Sequence, residues 1–444
     1  MTDLLFLVAL LVLPLIGYGF ARLPCFRSLH PASRIGLAGC LGALTLCAEM
    51  LLLTSLRVSW SVWLLSSPAV LWIFGRRRLR VRARVPEQDS RVGVTALVLT
   101  VLILSAAAYA AGSARATSTD LLLFWGTKGQ HFARIRSIDA AFLRDPAHQL
   151  MHPDYPPMLP CLYAWAALVA GKFSWSAALL SLPVFLALAV LTFFGFARPA
   201  LGRREAMAQA SLLAAVLTLV MVAGYTAGNA EPLLIFFEVA ALSALVFAAD
   251  RPEGVPAAAV ALAGAALTKV EGVVFAGLVA GGAVLFIRQA RRWQPLTLLT
   301  GIPVAALGTW ILFCRSHRLP DLFDLHRPSK PTLAYLSLVF GDVIHQASYG
   351  FWFAPWVLLF LLALPGKHTR PSLLALTVAL GFGAFLLYAY LTSSGNPHLW
   401  IEWSAARVLI TPLVCLFFCA TARVAAPTAA PESEIRIRDA APAS

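Results

Sequence analysis

Apolar runs of membrane-crossing length set the strongest limit on how this chain can fold. Residues 4–20, 35–56 and 92–112 are almost uninterrupted apolar stretches, with Glu49 the single charge among them. About 20 such residues in a helix cross the roughly 30 Å of hydrocarbon in a bilayer. No water is available there for backbone N–H and C=O groups, so a crossing segment must be a helix or part of a closed barrel. Barrel strands alternate apolar and polar residues, and these runs do not. The chain is 59% hydrophobic and only 13% charged, far less charged than a water-soluble domain. The expected fold class is all-α, a polytopic membrane helical bundle of about 13 transmembrane helices.

The formal net charge of +14 does not indicate a nucleic-acid partner, because no basic stripe is interleaved with stacking aromatics. The arginines sit in short connections, most densely in Arg76-Arg77-Arg78-Leu79-Arg80-Val81-Arg82-Ala83-Arg84. Such clusters hold connections on the cytoplasmic side. With that run inside, 4–20, 35–56 and 58–75 are three spans from an outward N-terminus, and 92–112 carries the chain outward again. Cys25, Cys40, Cys47, Cys161, Cys314, Cys415 and Cys419 show no metal-type spacing and read as small core residues. The N-terminus lacks a basic start and a cleavage site, so its apolar run is kept as a span.

After 92–112 comes the longest polar interruption, 113–157, with Asp120, His131, His148 and the cluster His152-Pro153-Asp154-Tyr155-Pro156-Pro157. A loop that only joins two helices seldom needs so many titratable groups. It reads as an outward active-site loop with short amphipathic helices, the plainer alternative being a solvated interfacial loop. Arg198, Arg203 and Arg204 mark the inside again. An odd number of crossings is then required, so 158–170 is assigned to the interface or to a re-entrant segment, and 175–197 crosses. Spans at 211–228, 233–249, 255–268, 272–287, 296–314, 351–365, 372–392 and 408–422 follow, with outward loops at 315–350 and 393–407. The organisation expected is an N-terminal three-span extension (1–91), a catalytic membrane module (92–314), a loop with C-terminal spans (315–424) and a disordered cytoplasmic tail (425–444).

This alternation brings Asp120, Asp154, Glu231, Lys269, Glu271, Arg318 and Arg407 to outward helix ends. Ionisable groups near membrane depth are costly, and are functional or hidden in the bundle. Carboxylates beside cations suit transfer from a phosphate. A carboxylate takes the proton of an attacking hydroxyl, while lysine and arginine hold the leaving phosphate and its developing charge. Each residue also has a plainer reading. Asp120 could cap an amphipathic helix at 121–136, and Glu231 could be a first-turn acid facing the helix dipole. Lys269 and Glu271 could pair only with each other, His152 and Asp154 could be turn residues, and Tyr155 an interfacial anchor. Arg407 could snorkel, and Trp400 and Trp403 fit an aromatic belt.

In their order, these motifs resemble the GT-C glycosyltransferases, nearest to the bacterial protein O-mannosyltransferase-like and lipid A aminoarabinose transferase-like branches. The likeness rests on Thr119-Asp120 after a span and on His152 to Pro160 leading into an apolar stretch. Glu231-Pro232-Leu233 opening a span, Thr268-Lys269-Val270-Glu271-Gly272 and Arg407 in a late span extend it. It implies a GT-C-like fold and an inverting glycosyltransferase. Such an enzyme moves a sugar from a polyprenyl-phosphate carrier to a glycan, lipid or protein acceptor outside the cytoplasm. The partners implied are that donor, the lipid bilayer and an extracytoplasmic acceptor, with the chain in a bacterial inner membrane and its site facing the periplasm or exterior. Asp120 would be the base, directly or through a divalent metal such as Mg or Mn, and Glu231 a second acid. His152, Asp154, Tyr155, Lys269, Glu271, Arg318 and Arg407 would bind substrate; no residue is assigned as a metal ligand. Where the mannosyltransferases show Asp-Glu in the first loop this chain has Asp120-Leu121, and where they show Asp before Pro-Leu it has Glu231. One rival reading is an O-antigen polymerase or ligase, which gathers arginines and histidines in a later loop, as His317, Arg318, Asp321, Asp324, His326 and Arg327 are gathered here. The other is a lipid-linked-sugar transporter or flippase, favoured by mid-span acids such as Glu49 and Glu238 but not by any visible repeat.

Overall fold

The computed structural model describes residues 1–69, 91–114, 118–320, 336–348, 353–363, 367–392 and 396–424. Every regular element among them is helical. Among the described residues nine helices are long and apolar enough to cross a membrane, and Met158–Ala170, Gly254–Ala266, Val270–Phe286 and Ala354–Ala363 are shorter apolar helices. The chain is a multi-pass membrane protein. The basic run at 76–84, the residues Asp321, Asp324, His326 and Arg327, and the tail 425–444 lie outside the described residues.

The expected count of about thirteen spans compares, among the described residues, with these nine helices of full crossing length and four shorter apolar ones. Hydropathy cannot see where a helix stops. Gly254–Ala266 has 13 residues, or about 20 Å of helix, too short to cross unaided. It ends because Lys269 is extended at φ −160°, ψ 160° before the next helix begins. Of the span expected at 58–75, residues 58–61 are not helical, Val62–Leu65 is a short helix, 67–69 are helical again, and 70–75 lie outside the described residues. Met158–Ala170, expected at the interface or as a re-entrant segment, has its residues from Met158 to Ala167 all buried in protein. Its length is bracketed by Pro156-Pro157 before it and by Gly171, at φ 79°, after it. The loop expected at 393–407 is helical from Pro397 to Val408, with the Asn396 side chain accepting from the His398 N–H at 3.0 Å. That helix breaks at Leu409 because Pro412 has no N–H for the Val408 carbonyl and crowds it; Ile410–Val424 then continues. Within 315–350, Leu336–Ser348 is likewise a helix.

Glu231–Ala248 is the central helix, with every residue except Val246 buried. Gly264 of Gly254–Ala266 lies against the Phe237 ring so closely that a Cβ would enter it. Small residues let apolar helices approach in this way, where lipid offers no hydrophobic drive for association. Pro31–Ser55 meets Ser181–Leu201 by the same means, with Gly36 against Thr192 and Gly195 against the Ser33 backbone. The N-terminal helix is tied on by polar bonds: Trp165 Nε1 donates to the Ala9 carbonyl at 3.1 Å, and the Ser174 hydroxyl to Asp3 at 2.6 Å. Five of the seven cysteines are buried, while Cys25 is exposed and Cys314 intermediate. The mid-span acid Glu238 is fully buried and accepts from the Thr411 hydroxyl at 2.8 Å, which joins two helices of the bundle.

Candidate active site

Four separate segments deliver charged side chains to one place. The first follows Arg91–Ser113. Ser118 fastens it by donating to the Ala227 carbonyl at 2.6 Å, and Asp120 then precedes a π-helical turn, Leu121–Trp125, that leads into Gly126–Ile135. Gly228, at φ 77°, makes room for this turn; a Cβ there would stand 2.7 Å from the Leu121 side chain. The second segment puts Glu231 in the first turn of the central helix, with Pro232 beside it, where a missing N–H costs nothing. The third places Lys269 just before Val270–Phe286 and Glu271 in that helix's first turn. The fourth is Pro397–Val408, with Arg407 in its last turn.

Lys269 Nζ lies 3.0 Å from Glu231 and 2.9 Å from Glu271. Arg407 pairs with Asp120, stands 3.9 Å from Glu231 and donates to the Trp403 carbonyl at 3.1 Å. Asp120 makes no capping hydrogen bond; its carboxylate is turned to Arg407 instead. Lys269 does pair with Glu271, but also bridges to Glu231. Five side chains therefore form one network, three acids against two cations; Glu231, Lys269, Glu271 and Arg407 line a cleft with Leu234 and Thr411, and Asp120 joins them through Arg407. Glu231 and Glu271 each keep one buried oxygen, Oε2, with no hydrogen-bond partner among the described residues.

Burial pushes the Asp120 carboxyl above its ordinary value; Arg407 pulls the other way and Glu231 adds to the rise. Burial also works against the charge on Lys269, but Glu231 and Glu271 outweigh it and hold the ammonium above the usual lysine range. A carboxylate that retains basicity thus stands beside a cation that stays charged.

The His152–Tyr155 turn lies close enough to this network for Tyr155 to feel its charges. Burial raises the Tyr155 phenol, with Glu271 adding to the effect. Its ring stacks on His152 with centroids 4.5 Å apart. Asp154 lends its carbonyl to Trp310 Nε1 at 2.7 Å. Arg318 is not brought in: it is exposed, at φ 52°, just beyond Trp293–Ser316, and no ion pair joins it to the network among the described residues. His317 stacks on Phe313 at 4.2 Å. The other loop histidines serve the loop itself. His131 bonds Asp139 at 2.9 Å and stacks on Phe142, and His148 Nδ1 meets the Phe142 carbonyl at 2.8 Å.

Two residues at or near the site carried no assignment from the sequence. Tyr390, bonded to Ser404 at 2.8 Å, is close enough to Glu271 and Lys269 to feel their charge. Lys128 is only 2% exposed. A signal for it was present: Leu121, Trp125, Lys128 and Phe132 recur at helical spacing, and all four are buried. The donor set does not fit a divalent ion. The carboxylates are engaged by Lys269 and Arg407, and no group of three or more His, Cys, Asp or Glu among the described residues could hold a metal.

Residues 154–314 match the PMT_2 family model, dolichyl-phosphate-mannose-protein mannosyltransferase. That segment contains Glu231, Lys269 and Glu271, whereas Asp120 and Arg407 lie on either side of it. No curated protein matches the chain.

Proposed function

We propose, from the match of residues 154–314 to the PMT_2 family model, that this chain is a glycosyltransferase using a polyprenyl-phosphate-linked sugar and that the five-residue network is its transfer site. In this reading the acceptor hydroxyl attacks the anomeric carbon of the sugar from the face opposite the phosphate. The bond from that carbon to the phosphate oxygen breaks, the phosphate leaves with the electron pair, and the configuration inverts. Asp120 takes the hydroxyl proton. Lys269 and Arg407 hold the phosphate and the charge that develops on it. Glu231 and Glu271 orient the two cations, and their unpartnered oxygens accept from sugar hydroxyls. Tyr155, with His152 and Asp154, walls the sugar. Every step is assigned to side chains, because the donor set does not fit a metal.

Support comes from one observation above all: Asp120 and Arg407, 287 residues apart in sequence, meet in an ion pair that Glu231 links to Lys269. Arg407 is already committed to Asp120, so a phosphate arriving at Arg407 would release the carboxylate when the acceptor needs it. Sidedness follows the arginines. Lys269 opens Val270–Phe286, and Arg288, Arg291 and Arg292 follow its other end. Arginine clusters stay on the cytoplasmic side, so the site faces the periplasm of a bacterial inner membrane and the acceptor is extracytoplasmic. The test is transfer from a polyprenyl-phosphate sugar by purified protein. Asp120→Asn should abolish transfer while binding of polyprenyl phosphate persists; transfer at the wild-type rate would remove Asp120 from the role of base.

A further inference from the structure

Lys128 is a buried ammonium for which the transfer step has no use. Removing a charge from water is costly unless fixed partners replace the solvent. Burial lowers this lysine to about 7, with Asp154 opposing the shift. Its partners sit at the edge of the site. Nζ donates to the His152 carbonyl at 3.1 Å and lies 5.0 Å from the centre of the Trp125 ring. Trp125 is in turn 6.0 Å from the Tyr155 ring, centroid to centroid.

His152 needs such support. Its φ of 51° is left-handed, which a residue with a Cβ adopts only at a cost of about 1–2 kcal/mol. The same carbonyl also accepts from the Tyr155 N–H at 3.1 Å, closing a tight turn. Two further bonds pin the segment: Trp310 Nε1 to the Asp154 carbonyl at 2.7 Å, and the Met158 N–H to the Leu267 carbonyl at 3.1 Å. The last of these ties the turn to the helix end just before Lys269.

We infer that Lys128 is a positioning residue for this site: by clamping the His152 carbonyl from inside the protein, it fixes the turn that carries Tyr155 at the edge of the site. The inference rests on the proposed transfer site for its effect on activity, but the clamp itself is independent of it. Lysine suits the task because its flexible stem reaches through apolar surroundings while its head keeps N–H donors in either protonation state.

The experiment joins hydrogen–deuterium exchange to a double-variant cycle on full-length protein in detergent. Between Pro153 and Pro156 only Asp154 and Tyr155 carry backbone N–H groups, so a peptide over this turn reports a defined pair of amides. Lys128→Met should speed their exchange at least roughly tenfold and leave the central helix unchanged. Lys128→Gln, which keeps a donor without the charge, should restore most of the protection. Transfer should fall by roughly 10- to 100-fold in Lys128→Met, as expected for a misplaced substrate contact. In a Tyr155→Ala background the same change should cost little, because both act through one contact. If Lys128→Met does not fold, Trp125→Phe, which weakens the seat of the ammonium, should give a smaller change in the same two amides. Unaltered exchange there, or equal losses of transfer with and without Tyr155, would overturn the inference. Failure of the wild type to transfer sugar would instead overturn the proposed function, and the exchange result would still judge the clamp.

Discussion

Replacing Lys269 by methionine removes the cation on which two acids depend. Lys269 is 7% exposed and bridges Glu231 at 3.0 Å and Glu271 at 2.9 Å. Each acid already has one buried oxygen without a partner among the described residues, so the change strands both. Breaking a buried ion pair from one side costs about 3–5 kcal/mol. Arg407, 3.9 Å from Glu231, can take up part of that acid's charge, which places the expected loss near the lower end, about 3 kcal/mol. The assay is chemical denaturation in detergent micelles. Lys269→Met is compared with wild type and with Lys269→Met/Glu271→Gln, in which one stranded charge is removed as well. The double variant should regain about 1 kcal/mol or more, since neutralising an unpaired buried acid relieves its desolvation. Polyprenyl phosphate should bind both variants roughly 10- to 100-fold more weakly, because a charge-assisted hydrogen bond is lost in each. A single variant within about 1 kcal/mol of wild type, or a double variant no more stable than the single, would refute the reasoning, since the network would then carry no buried charge worth neutralising.

Other perturbations test neighbouring parts of the site. Asp120 acts as a base only when deprotonated, and burial raises it while Arg407 pulls it down; Arg407→Gln should therefore move the acid limb of the rate profile to higher pH, and a shift to lower pH would contradict the assignment. Lys128 titrates at 10.5 in the open chain and at about 7 in the fold, so between those values the folded protein binds fewer protons. Its burial penalty is full below pH 7 and fades as pH rises, giving the wild type roughly 2 kcal/mol of extra stability from pH 7 to 9; denaturation across that range should show a flatter rise for Lys128→Met. Gly228→Ala would force φ 77° on a residue with a Cβ and crowd Leu121, costing about 1–2 kcal/mol. It should also lower transfer by displacing Asp120, whereas Gly171→Ala, at a similar φ in open space, should cost stability alone.

Much of this protein is readable without its fold, because the controlling physics is local. An apolar run long enough for a bilayer must be helical wherever it packs, so residues 35–56 and 92–112 announced the helices Pro31–Ser55 and Arg91–Ser113. The polar interruption at 113–157 and the acid–Pro pair at Glu231 likewise stood out against an oily background. Sequence also named Asp120, Lys269, Glu271 and Arg407, since charge near membrane depth is too costly to be incidental. Tertiary structure alone decided which of these meet. Asp120 could have capped its helix, but packing of Pro397–Val408 beside it offered Arg407 as the stronger partner. Tertiary structure likewise leaves Arg318 exposed and buries Lys128, although both are basic residues in polar stretches. Hydropathy records how much a segment prefers lipid to water; it does not record which buried charge will find another, because that depends on side chains brought together by distant helices.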